Sequence, residues 1–77
     1  MTVAEWAHVF FAELSKRVGR SIPYTADADG NFDCRDHELR VVGCNDDFMS
    51  VWTSKGVAWD DKDTRQGAID AASILAE

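Results

Sequence analysis

The chain is poor in positive charge. Only eight of its 77 residues are Lys or Arg, against fourteen Asp or Glu, for a formal net charge of −6. That balance disfavours bare nucleic acid or an anionic membrane as a partner and favours a basic protein surface. Cysteine occurs only as Cys34 and Cys44. Two are too few for a disulfide scaffold, and reduced, partly buried thiols are expected. No apolar run approaches the roughly 20 residues that span a bilayer. The first residues lack the basic start and apolar core of a signal peptide, so a cytoplasmic location is expected. There is one proline, no internal repeat and no low-complexity segment.

What is present suits one small core. The apolar fraction is 45%, and three Trp and four Phe are generous for this length. Each large ring buries considerable area, which offsets the ordering entropy of a short chain. Residues 1–77 are expected to form a single α+β domain.

Thr2 followed by Glu5 reads as a capping box. Val3, Trp6, Phe10, Leu14 and Val18 then recur at spacings of three and four, with Ala7 and Phe11 widening the stripe, and Gly19 closes the helix. The pattern predicts a helix over 3–18. Pro23 biases Ile22–Ala26 towards an edge strand. Asp27-Ala28-Asp29-Gly30-Asn31 is turn chemistry. Strands are predicted over Phe32–Cys34, Leu39–Cys44 and Phe48–Thr53, and a short one over Val57–Trp59. Asp63 or Thr64 caps a last helix, in which Ala68, Ala71, Ala72 and Leu75 share one face with Ile69 beside it. The expected architecture is a two-layer sandwich: helix, three or four antiparallel strands, helix, with both helices on one sheet face.

Two helices cover only one face of a sheet. Strand alternation puts Phe48, Ser50 and Trp52 on one side and Met49, Val51 and Thr53 on the other. Both sides carry apolar groups, so the uncovered side is a candidate interface.

Asp27 to Glu38 has the length of an EF-hand calcium loop, with Glu38 in the twelfth place. Phe32 stands where that loop needs glycine, and an acidic turn around Asp29-Gly30 is the better reading. Cys34, His37, Cys44 and His8 lack the paired spacing of a zinc site. Cys34 with His37 lacks an orienting third group and an oxyanion site. No metal, no other cofactor and no catalysis are expected.

The element order resembles the double-stranded RNA-binding domain, through Glu13-Leu14 with Lys16-Arg17 and Gly19, through Ile22-Pro23-Tyr24, and through the alanine-rich last helix. The resemblance implies the fold. That family opens its last helix with lysines that grip phosphates, where this chain has Asp60-Asp61-Lys62-Asp63-Thr64-Arg65. At a net charge of −6 phosphate neutralisation loses its driving force. A degenerate version of the domain that binds protein is what the likeness allows.

The chain as a whole is similar to the small acidic anti-CRISPR proteins of phages and mobile elements: one compact α/β domain, strong acidity, surplus aromatics and no catalytic motif. The resemblance implies an inhibitor acting in the host cytoplasm as a DNA mimic, on the basic DNA-handling surface of a Cas subunit. An acid at every second strand position recurs about every 6.6 Å, close to the phosphate spacing of one strand. Asp27/Asp29 and Asp36/Glu38 have that alternation if their segments are extended. The expected partner-binding residues are Asp27, Asp29, Asp33, Asp36, Glu38, Asp46 and Asp47, a second cluster of Asp60, Asp61 and Asp63, and Trp52 or Trp59 as a desolvated anchor. A generic acidic interaction module is the alternative, and the chain is expected as a monomer or weak homodimer.

Overall fold

Thr2 fixes where the first helix begins. Its hydroxyl accepts the Glu5 amide at 3.1 Å while the Glu5 carboxylate accepts the Thr2 amide at 3.0 Å. This reciprocal box satisfies two amides that helix geometry leaves without partners. It also holds the Glu5 carboxyl below its ordinary pKa, chiefly through the Thr2 backbone bond. In the computed structural model, which describes residues 2–34, 39–43, 48–53, 56–62 and 64–76, helix α1 spans Val3–Val18. Side chains are described for all of these except 41–43, 48, 57–58 and 60–62. Gly19 ends α1 at φ 78°, and its amide and that of Arg20 both donate to the Ser15 carbonyl. A left-handed backbone here favours glycine.

The Ser15 hydroxyl accepts the Ile22 amide at 2.9 Å. This ties the segment after the helix back onto α1 and buries Ile22. With that amide committed and Pro23 lacking one, the edge strand begins only at β1, Thr25–Ala26. The other strands are β2 (Phe32–Cys34), β3 (Leu39–Gly43), β4 (Phe48–Thr53) and β5 (Gly56–Lys62). They form a five-stranded antiparallel meander in sequence order. The short edge strand brings the number above the three or four expected. β5 is longer than the predicted Val57–Trp59 because pairing with β4 carries it through Lys62. Charged residues late in an edge strand also discourage unwanted pairing there.

Thr64 begins helix α2 (Arg65–Leu75) by accepting the Gly67 amide on its hydroxyl. Gly67, Ala68, Ala71 and Ala72 are its buried residues. Their small side chains let α2 approach α1 closely. Both helices lie on one face of the sheet, and the shared core joins Trp6, Phe10, Phe11 and Leu14 to Ala68, Ala71 and Ala72 and to Cys34, Leu39, Met49 and Val51. The fold is therefore an α+β two-layer sandwich.

Aromatic rings run through this core without a break. Trp59 meets Trp6 at 5.4 Å, Trp6 stacks on Phe10 at 5.4 Å, and Phe10 meets Phe11 edge-on at 4.9 Å. Phe11 stacks on Tyr24 at 4.2 Å, and Tyr24 meets Phe32 at 5.9 Å. The run connects β5 to β2 through α1, so one helix bridges strands on opposite sides of the sheet centre. Such contacts add to the burial of the rings themselves.

Candidate functional site

Sheet register defines two rows that cross all five strands. Ala26, Phe32, Val41, Val51 and Trp59 are in register on the helix side. Thr25, Asp33, Arg40, Trp52 and Val57 are in register on the uncovered side. The pairing of β4 with β5 shifts between Val51 and Trp52, leaving Ala58 as an extra residue. Such a bulge changes which face the following residues occupy. It lets residues 57 and 59, two apart, lie in opposite rows.

Trp59 is thus drawn to the core, half-buried against Trp6, while Trp52 is 41% exposed on the outer face. Of the two tryptophans expected as possible anchors, Trp52 is the one free to meet a partner. Ile74 on α2 is the other exposed large apolar residue among those described. Ser50, two positions before Trp52, is buried on the same outer face. Of the residues expected on that face, Trp52 is exposed, and the side chain of Phe48 lies outside the described ones.

Beside Trp52 in the row lies a charge network. Arg40 Nη2 donates to Asp27 Oδ2 at 3.0 Å, and Arg40 Nε lies 3.3 Å from Asp33 Oδ1. The other Asp27 oxygen accepts the amides of Asp29 and Asn31 at 2.9 and 3.0 Å. Gly30, at φ 83°, completes the turn by donating its amide to the Asp27 carbonyl. The amide of Asn31, then that of Asp29, and the Arg40 guanidinium hold the Asp27 carboxyl below its ordinary pKa. Both oxygens of Asp27 are thus engaged by groups of the chain itself.

The phosphate-like alternation of Asp27 and Asp29 required an extended segment, and that condition is not met. They lie in a tight turn rather than an extended strand, so they do not repeat at phosphate spacing. The reason is local: the Asp27 carboxylate caps the turn amides. Asp29 is exposed, and Asp33 is half-buried with its carboxylate on Arg40. In the strand register Asp60 is paired with Ser50 and Asp61 with Met49. Asp36, Glu38, Asp46, Asp47 and Asp63 lie outside the described residues. So do His37 and Cys44, while Cys34 is a buried free thiol.

Arg40 was not singled out in the sequence. A signal for it existed, because an arginine opposite an aspartate in a hairpin makes a favourable cross-strand pair. Finding it required the register. Among the described residues no helix is long and apolar enough to cross a membrane. No protein-family model matches the chain, and no curated protein or solved structure matches it significantly.

Proposed function

We propose that this protein is a small binding module that docks the uncovered face of its sheet on a basic protein surface. Trp52 is the anchor and Asp29, Asp33 and Asp60 form an acidic rim. The carrying observation is the 41% exposure of Trp52 in the row that crosses the uncovered face. An exposed indole with Arg40 and Asp33 following it in the row is the kind of aromatic anchor enriched at interface centres. The acids supply attraction at a distance: the chain carries a net charge of −6, and such fields speed encounter with a positive surface.

The best-matched partner is the DNA-handling surface of a CRISPR effector, whose Lys and Arg await a polyanion. The protein would then act as an inhibitor of target-DNA binding, by occupancy and without turnover. It would not copy phosphate spacing through Asp27 and Asp29. It would offer a field, with Trp52 excluding water at its centre.

Binding to a panel of purified effector complexes, followed by biolayer interferometry at two salt concentrations, tests this reading. Association with one complex should slow as salt rises, because rim charges act mainly on the on-rate. Salt-independent binding would remove the electrostatic part. Specific binding to a basic partner unrelated to CRISPR would favour the generic module.

A further inference from the structure

Two of the chain's eight cationic residues, Lys16 and Arg65, line one groove. On the side of α1 away from the sheet, α1 and α2 border an open groove of ≈ 470 Å³. Lys16 and His8 line it from α1, and Arg65 lines it from α2. His8, Ala12 and Lys16 follow at intervals of four and so share one helical face, about 12 Å from end to end. Arg65 lies far from them in sequence, and only the packing of the helices brings it there. Its apolar lining is Val9, Ala12 and Ile69, with Val9 and Ile69 half-buried.

One acid, Glu13, lines the groove, and its carboxylate is 3.6 Å from Arg17 on the next turn. Lys16 and Arg65 make no ion pair among the described residues. Among the described residues α2 has no acid in its first turn. The described lining thus sets two cations, Lys16 and Arg65, against one acid, Glu13, which itself faces Arg17, over an apolar floor.

We infer that this groove binds an acidic segment of a partner protein, one that sets carboxylates against Lys16 and Arg65 and an apolar side chain against Val9 and Ile69. Charge complementarity chooses the sign, and the floor chooses a segment over a simple ion. Lys16, Arg65 and His8 are all exposed, so a small anion would stay hydrated and be held only by screened charges. A segment laid along the crease covers more of the floor and follows the helix-in-groove mode. A long nucleic acid would run from this groove into the field of the acids.

The test is fluorescence anisotropy at physiological salt. The probe is a labelled 12-residue acetylated peptide with Glu and Leu at helical spacing, compared with its Gln-for-Glu counterpart. The acidic peptide should bind, and the Gln peptide at least about tenfold more weakly. Lys16→Glu with Arg65→Glu should cause a similar loss, and Ile69→Ser a smaller one. Ala28→Ser, at an exposed turn position that does not line the groove, should leave affinity within about twofold. Thermal melts of each variant establish that it is folded. Equal binding of the two peptides, or full binding by the charge-reversed variant, overturns the proposal. Displacement of the peptide by millimolar octanoate or phosphate would make it a small-anion site instead, also against the proposal. So would self-association in sedimentation velocity that the reversal abolishes, since the occupant would then be a second copy. These variants leave the outer sheet face intact, so failure here is separate from failure of the docking function above.

Discussion

Asp27 and Arg40 meet at 3.0 Å, joining the β1–β2 turn to the middle strand β3. The same carboxylate holds the amides of Asp29 and Asn31. An acid that composition would assign to the binding field is thus the keystone of its own turn. Reversing Asp27, Asp29 and Asp33 together is therefore a poor test of the field, because it also removes this cap. Asp27→Ala should lower the melting temperature clearly, Asp29→Ala hardly at all. Thermal unfolding followed by circular dichroism distinguishes them.

The same pair has a pH signature. The Asp27 carboxyl lies below its ordinary range through Asn31, Asp29 and Arg40. A lowered folded-state pKa gives stability that is complete above the unfolded value, about 3.9. It is lost as pH falls through the lowered folded value. The difference in melting temperature between wild type and Asp27→Asn should therefore shrink on acidification from neutrality through that range. A constant difference would mean that the carboxylate charge contributes nothing.

Trp6 is fully buried, and its Nε1–H meets no acceptor among the described residues. Burying an unpaired donor costs about 1–3 kcal/mol. Trp6→Ala should lose about 3–5 kcal/mol through the cavity left among Phe10 and Trp59. Trp6→Phe keeps most of the ring contact and removes the unpaired donor, so it should lose much less. Urea denaturation of both variants checks the order.

Phe10 stacks on Trp6 and meets Phe11 edge-on, with no exposed surface. Phe10→Ala should cost about 3–5 kcal/mol. A loss below roughly 1 kcal/mol in denaturant titration would contradict its place at the middle of the aromatic run.

Much of this fold was legible in local pattern. The capping box, the apolar stripe and Gly19 bound α1 at Val3–Val18, as spacing alone predicts. β4 likewise runs over Phe48–Thr53. What was not legible depended on register. The bulge at Ala58 turns Trp59 inward, and period-two reasoning has no access to an inserted residue. Arg40 was invisible as a bridging group until β3 lay beside β2. Composition marks an acidic field but does not separate Asp27, spent on its turn, from Asp29, left to solvent.

The central claim is that the outer face around Trp52 docks on a basic protein surface. Its most direct test is target-DNA binding by a CRISPR effector, measured by fluorescence anisotropy of labelled DNA while this protein is titrated in. Wild type is compared with Trp52→Ala, which removes an exposed ring and should leave the melting temperature nearly unchanged. The account predicts that wild type displaces the DNA and that Trp52→Ala needs at least about tenfold more protein for the same effect. Equal displacement by the two proteins would contradict it, and so would undiminished DNA binding at saturating wild type across the effectors tested.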